Sequence, residues 1–293
     1  MIAVILSLAA SVCWGVGDLI GGLASRKGPA WTITLAAQCA GVVAGFVLLV
    51  GLGRPWPGWG GILPAVAVGL ALAIGSVAYF TALARGKMSV VAPIVATCAV
   101  VPVIWGVVRG DSLSLLQVGG IVLALVGVAF ASRESADEPV PVGALEASTM
   151  VDGHAQGGRW SVPLALVAAF FFGAVMVGFA VAAEHDPYYP PVISRAVSAL
   201  LIAGVLAARR RPLMPPRAVR RPALVAGLLH VTAATCFSVA STLGYLSVVS
   251  VLSSMQAIVM VALAHVVLRE RLAVVQRIGV VLAIVGALAV VAG

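Results

Sequence analysis

Charged residues are scarce in this sequence, and acidic residues are scarcer than basic ones. Only 10% of the 293 residues are charged, 10 of them acidic and 18 basic, whereas 62% are hydrophobic. Soluble globular domains average about 25% charged and about 45–50% apolar residues. The composition therefore excludes one large soluble domain and indicates a chain embedded in a lipid bilayer.

Motifs for metal binding and hydrolytic catalysis are also missing. The four cysteines stand alone, with no Cys-x-x-Cys or Cys/His spacing. They are Cys13, Cys39, Cys98 and Cys236. Neither His-Glu-x-x-His nor Gly-x-Ser-x-Gly occurs. We therefore predict no metal, no cofactor and no enzymatic activity.

Long apolar runs fill the sequence instead. A membrane-spanning helix needs about 20 mostly apolar residues, and charges here fall almost wholly between such runs. The ten runs cover residues 2–24, 31–52, 61–84, 88–108, 113–131, 161–183, 190–208, 222–243, 247–268 and 273–292. The first has no basic residues before it and no clear cleavage site, so we interpret it as a retained helix. The sequence predicts an all-α integral membrane protein with ten spans.

Part of the chain recurs after 159 residues. Residues 113–127 return as 272–286 with eight identical positions, and an acidic residue, Asp111 or Glu270, lies two positions before each copy. A duplication in so apolar a chain is typical of transporter folds whose site lies between two repeats. We predict a first five-helix repeat at 1–131, a polar linker at 132–160 and a second five-helix repeat at 161–293.

Positive charge is concentrated on one side of the predicted spans. Arg54 and Arg109 fall after even-numbered spans and Arg195 lies inside the seventh span, whereas the other 15 of the 18 basic residues follow odd-numbered spans. Basic loops stay in the cytoplasm, so we predict a plasma (inner) membrane protein with both termini extracytoplasmic. Because each repeat has an odd number of spans, five, the second copy must cross the membrane in the opposite orientation to the first. The arginine-rich loop at 209–222 is expected to contact anionic lipid rather than nucleic acid.

Several short motifs resemble the ten-helix EamA-type permeases of the drug/metabolite transporter superfamily. They are Trp14-Gly15, Tyr79–Ala84, Ser89–Pro93, the two copies of acidic-x-Leu-x-x-x-Gln-x-x-Gly, and Arg269–Leu272, where Arg269 replaces the family's glycine. The resemblance covers the chain except the linker. It implies solute movement by alternating access without an ATP site, commonly export of amino acids, metabolites or drugs, with a coupled proton or ion as a further partner.

The candidate site residues are polar or aromatic side chains inside the spans, because polar groups are costly in lipid and usually face a cavity. They are Trp14, Asp18, Gln38, Tyr79, Arg195, His230, Gln256 and His265. We expect a central cavity built from spans 1–4 and 6–9 and lined by Trp14, Gln38, Tyr79 and Gln256, with Asp18 and Arg195 nearer its mouth. Such a lining favours a small amphipathic solute.

Two roles remain open for each polar candidate. Asp18 is either a site for a proton or a cationic substrate, or a residue that meets the membrane interface or pairs with a neighbouring polar group. Arg195 either binds a substrate carboxylate or extends to lipid headgroups. The two histidines are proton relays or packing residues, and the two glutamines line a cavity or bond neighbouring helices.

An enzymatic alternative rests on Gly15-Val16-Gly17-Asp18, which matches the Gly-x-Gly-Asp motif of intramembrane aspartyl peptidases. That chemistry needs two carboxylates sharing a proton. The other aspartates all fall between predicted spans; they are Asp111, Asp137, Asp152 and Asp186. The peptidase is therefore the weaker alternative.

Glycines spaced seven apart mark both copies of the repeated segment. Gly120 and Gly127 share one helix face, as do Gly279 and Gly286. Small residues let helix backbones approach closely in lipid. We predict that spans 5 and 10 pack through these faces, at the periphery of the repeats or against each other.

Overall fold

The computed structural model describes residues 1–85, 91, 94–95, 97–131, 160–268 and 274–293. Its helices are α1 (Ile2–Ser25), α2 (Ala30–Gly51), α3 (Gly58–Arg85), α4 (Val100–Val108), α5 (Leu115–Ala131), α6 (Ser161–Ala183), α7 (Tyr189–Ala208), α8 (Arg217–Leu243), α9 (Leu246–Ser254), α10 (Gln256–Leu268) and α11 (Val274–Ala292), with a 3-10 turn at Thr97–Ala99. The predicted linker (except Trp160), most of Ser89–Pro93 and all of Arg269–Leu272 lie outside the described residues.

Helix length and composition agree with a bilayer environment. Six helices, α1–α3 and α6–α8, are long and apolar enough to cross a membrane, and four shorter apolar helical stretches accompany them in the described chain. Large apolar side chains such as Phe46, Leu200 and Phe170 are exposed on the outer surface. Such a surface is favourable in contact with lipid and unfavourable in contact with water. The prediction of an all-helical, multi-pass membrane protein is confirmed at this level.

Helix starts recur at the same 159-residue offset as the repeated sequence segment. Helices begin at Ile2, Ala30, Gly58 and Leu115, and the residues 159 positions later, Ser161, Tyr189, Arg217 and Val274, also begin helices. Because the offset is constant over four helices, the period found in residues 113–127 extends to the architecture of the chain.

Two of the predicted spans are interrupted. The span expected at 247–268 is α9 and α10, separated at Met255, and the span expected at 88–108 contains the 3-10 turn at Thr97–Ala99. These interruptions lie at corresponding places of the 159-residue period. An interrupted span leaves backbone N–H and C=O groups without helical partners, an arrangement found where transporter helices meet a binding site.

The arginine-rich segment differs from its predicted form. We expected a loop over 209–222, but α8 begins at Arg217, directly after Pro216. Arg220 and Arg221 therefore lie in the first turns of α8. Proline before a helix start is favourable, because its fixed φ and missing N–H cost nothing there.

Helices α5 and α11 pack backbone to backbone. A Cβ atom on Gly127 would collide with the backbone of Ala283, and one on Gly286 would collide with that of Ala124. A Cβ on Gly120 would lie 2.8 Å from the Gly286 carbonyl oxygen. The prediction that spans 5 and 10 pack against each other through their glycine faces is confirmed.

Helices of the first half (residues 1–131) and the second half (161–293) interleave at the centre. α1 packs against α8, α3 packs against α6 and α7, and α2 contacts α7 and α8. Gly227 of α8 lies so close to Ala37 of α2 that an added side chain would collide with the Ala37 carbonyl. These six helices bring the polar candidates of both halves to one place.

Candidate functional site

A cavity of about 790 Å³, including the open space at its mouth, lies between helices of both halves. Seven of the eight candidate residues line it: Trp14, Asp18, Gln38, Tyr79, Arg195, His230 and Gln256. The side chain of the eighth, His265, lies outside the described part of the structure. The structure thus brings together residues that the sequence separates by more than 200 positions.

Asp18 on α1 faces His230 on α8 across the two halves. The Asp18 Oδ1 atom lies 3.1 Å from His230 Nε2, and an ionised carboxylate accepts this hydrogen bond from the Nε2–H tautomer. Tyr79 of α3 lines the same cavity as Asp18. Gly17 permits the approach, because a Cβ there would lie 2.7 Å from the imidazole ring. Asp18 is 8% exposed, so it is a buried, partnered carboxylate.

Arg195 on α7 forms the second polar contact between the halves. Its Nη1 donates to Gln38 Oε1 of α2 at 2.8 Å, and Gln38 Nε2 donates to Ser76 Oγ of α3 at 3.5 Å. Gly41 leaves room for the stem, since a Cβ there would lie 2.6 Å from Arg195 Cδ. Arg195 is 4% exposed and lines the cavity. This position contradicts the alternative in which Arg195 extends to lipid headgroups.

Aromatic and aliphatic side chains form the rest of the wall. The Tyr79 ring meets Phe172 edge to face at 5.6 Å between centroids, and Trp14 packs on Phe237 at 5.7 Å. The apolar lining residues include Leu72, Phe80, Phe172, Val175, Met176 and Phe179. The cavity therefore presents a few fixed polar groups on a largely apolar surface, as small-molecule sites generally do.

Sequence reasoning missed the serines at the interrupted span. Ser253 and Ser254 line the cavity at the end of α9, and Gln256 lines it at the start of α10. The concentration of polar residues in Ser253-Ser254-Met255-Gln256, inside a predicted span, was the available signal. The phenylalanines had no such signal, because apolar residues are ordinary anywhere in a span.

Comparison with known proteins supplies the family. The model of the EamA-like transporter family matches residues 1–133 and again residues 159–292. The chain belongs to the EamA-like transporter family. A solved structure, titled only as the crystal structure of a protein, resembles this EamA-like chain with a TM-score of 0.70 at 18% identity, covering 98% of this chain and 95% of that one. No curated protein matches the sequence. The protein is a membrane transporter of the drug/metabolite type.

Packing explains the Gly-x-Gly-Asp motif in this EamA-like protein. A Cβ on Gly15 would lie 2.7 Å from the Gln256 carbonyl oxygen of α10, and Gly17 admits the His230 ring. Among the described aspartates, Asp111 binds Ser247 and Asp186 pairs with Arg54. Asp137 and Asp152 lie outside the described residues. The two glycines therefore have structural roles that require no peptidase.

Loops at one end of the EamA-like bundle tie the halves together. Arg54 pairs with Asp186 at 2.9 Å, and Arg109 pairs with Glu184 at 3.0 Å. Asp186 Oδ1 also accepts from the backbone N–H of Tyr188 and Tyr189, at 2.7 and 3.3 Å, just where α7 begins. A carboxylate at a helix N-terminus satisfies otherwise unpaired donors. Both ion pairs join loops that follow even-numbered spans, the side predicted to be extracytoplasmic.

Proposed function

We propose that this protein is a secondary transporter that exports a small amphipathic metabolite, amino acid or drug across the plasma membrane by alternating access. The cavity carries this proposal: polar side chains of both halves meet there inside membrane-spanning helices. Asp18 and Gln38 come from the first half, and His230 and Arg195 come from the second. Alternating access would break and re-form these contacts if α1 moved against α8 and α2 moved against α7.

The proposed architecture is ten spans in two inverted five-helix repeats, 1–131 and 161–293, joined by the segment 132–160. The constant offset of helix starts supports it, as do the two separate family matches. Helix contacts agree: α1 packs on α8 and α3 on α6, and exchanging the corresponding helices of the two repeats converts one contact into the other. The fifteen-to-two basic asymmetry supports extracytoplasmic termini, and a reporter fused after residue 293 tests that orientation.

Proton coupling through Asp18 and His230 is part of the proposal. The other titratable groups that line the cavity are His230 on α8, Tyr79 on α3, Cys98 before α4 and Arg195 on α7, and His230 bonds Asp18 directly. A buried carboxylate–imidazole pair can exchange a proton when the halves move, because opening separates the two groups. The same pair would otherwise hold a cationic group of the solute.

Solute profiling tests the function. Cells that lack the protein and cells that overproduce it should differ in the outward flux of at least one small amphipathic solute, and Asp18→Asn should remove the difference while the protein remains in the membrane. Thr232→Val is the matched control, because Thr232 lies on the exposed face of α8 and bonds its own helix. An Asp18→Asn protein with full flux would exclude Asp18 from the mechanism, and no flux of any solute in reconstituted vesicles would exclude the transporter.

A further inference from the structure

We propose that the Nε–Nη2 edge of Arg195 is the subsite that binds a carboxylate group of the transported solute. The inference rests on the proposed transport function and names a chemical requirement of its substrate. It predicts that anionic carboxylates, rather than neutral or purely cationic molecules of the same shape, occupy this cavity.

The first observation is a buried charge without a counter-ion. Arg195 is 4% exposed, and in the described part of the chain the ion pairs are made by Arg54, Arg109 and His230. The one carboxylate among the residues that line the cavity, Asp18, is bonded to His230. A buried cation is costly unless an anion and hydrogen bonds compensate it. A bound carboxylate would supply both.

The second observation is which donors Arg195 leaves unused. Nη1 is held by Gln38, whereas Nε is buried and has no hydrogen-bond partner. Nη2 likewise has no partner among the described residues. Nε and Nη2 form one of the two edges that a guanidinium presents to a carboxylate in a bidentate pair. The contact to Gln38, itself bonded to Ser76, fixes the plane of the group.

The third observation locates the subsite within the cavity. A Cβ on Gly41 would touch Arg195 Cδ and would lie 3.3 Å from the Gly227 carbonyl oxygen of α8. His230 lies three residues after Gly227 on the same helix, which is about one helical turn, roughly 5 Å. The Arg195 stem therefore lies about one turn of α8 from His230, and both residues line the same cavity as Asp18.

The surroundings favour a carboxylate over a phosphate. Arg195 is the one arginine or lysine among the residues that line the cavity, and aromatic and aliphatic side chains dominate the remaining wall. A phosphate dianion needs several cationic or N–H donors, whereas a single bidentate guanidinium matches the charge and width of one carboxylate. The apolar wall fits a hydrocarbon or aromatic remainder of the solute.

The test compares two probes that differ only in the proposed group. Hydrocinnamate carries a carboxylate on a 2-phenylethyl group, and hydrocinnamamide carries a neutral amide on the same group. Binding of each to the purified full-length protein is measured by calorimetry and by the shift in thermal unfolding. We expect the carboxylate to bind about tenfold more tightly or better, as a charge-assisted pair requires. A carboxylate that binds no better than the amide, absence of binding by both included, would overturn the subsite.

Variants assign the preference to Arg195. Arg195→Gln should abolish the preference for the carboxylate, and Arg195→Lys should restore part of it, because lysine keeps the charge but loses the bidentate edge. Arg209→Gln, which alters an exposed arginine at the end of α7, should leave the preference intact. An unchanged preference in Arg195→Gln would contradict the proposal. If that variant does not fold, the comparison of the two probes on the unaltered protein still decides.

Uptake into vesicles separates this inference from the proposed function. If hydrocinnamate binds selectively but does not cross reconstituted membranes, the subsite stands and the transport proposal fails for this solute. If solutes cross without any advantage to the carboxylate, the transport proposal stands and the subsite fails.

Discussion

Glycines serve opposite purposes at the α5–α11 contact and around the central cavity. In α5–α11, Gly120, Gly127 and Gly286 bring two backbones into contact and leave no space between them. Beside the cavity, Gly17 and Gly41 make room for the side chains of His230 and Arg195. The same residue type closes one interface and admits functional groups at the other.

The difference separates the repeated motif, by which the family is recognised, from the residues that would determine which solute is bound. The repeated Leu-x-x-x-Gln-x-x-Gly motif lies at the start of α5, where the Ser114 N–H donates to Gln117 Oε1 at 3.0 Å and the Gln117 N–H donates to Ser114 Oγ at 3.1 Å. That reciprocal arrangement is a capping box, which satisfies donors at the helix start. This repeated motif thus builds the scaffold, whereas the candidate site residues line the cavity. Family membership alone does not identify the solute.

The largest expected effect comes from breaking the α5–α11 contact. Gly127→Leu and Gly286→Leu should remove most of the folded protein from the membrane, because each side chain would have to displace the facing backbone. Folded protein is measured by size-exclusion chromatography of a fluorescent fusion after detergent extraction.

Gly119→Leu is the control for that experiment. Gly119 neighbours Gly120 on the same helix, but a Cβ there meets nothing within 4 Å, so leucine should be tolerated. If the Gly127→Leu protein were present in normal amounts but had an altered solute preference, the α5–α11 contact would belong to the solute site and not to the scaffold.

The locations of the helices were predictable because the bilayer imposes one simple requirement on every span. Apolar runs of about 20 residues mark a helix wherever they occur, and the starts of α2, α6 and α7 lie within one residue of the predicted ones. The predicted start of α8 was wrong. Arginines that follow prolines are typical of a loop, whereas here Pro216 directly precedes the first residue of the helix. The interruption at Met255 was missed because hydropathy does not register a local break.

The cavity residues were predictable individually but not as pairs. A polar residue inside a span is conspicuous, and this sufficed to select residues that line the cavity. Nothing local indicates that Asp18 meets a histidine 212 positions away or that Arg195 meets a glutamine 157 positions away. Those partners depend on how the halves interleave, which a single sequence does not encode in any short pattern.

A smaller effect on folding, with a clear effect on transport, is expected from the cavity wall. Trp14→Ala combined with Gln256→Ala should reduce solute flux by about tenfold or more while most of the protein stays folded, because both side chains line the cavity. Flux is measured per folded molecule in reconstituted vesicles.

The exposed Trp105, which does not line the cavity, provides the matched substitution. Trp105→Ala should preserve flux. Unchanged flux in the Trp14→Ala, Gln256→Ala protein would show that the polar wall, and not this aromatic and amide surface, selects the solute.

The smallest effects are expected at the loops, which belong neither to the scaffold nor to the cavity wall. The Arg109 and Glu184 side chains are 58% and 57% exposed, whereas Arg54 and Asp186 are 34% and 9% exposed. Exposed ion pairs contribute about 0–1 kcal/mol, so Arg109→Ala should leave the thermal unfolding midpoint unchanged within error.

Arg54→Ala should lower the thermal unfolding midpoint measurably, because it also removes the cation–π contact to Tyr188 at 4.5 Å and leaves the nearly buried Asp186 without its counter-ion. Asp186→Ala should lower it further through loss of the α7 cap, and none of the three should change which solute is preferred. Equal shifts for Arg54→Ala and Arg109→Ala would show that burial does not rank these contacts, and an altered solute preference would make this end of the bundle part of the pathway.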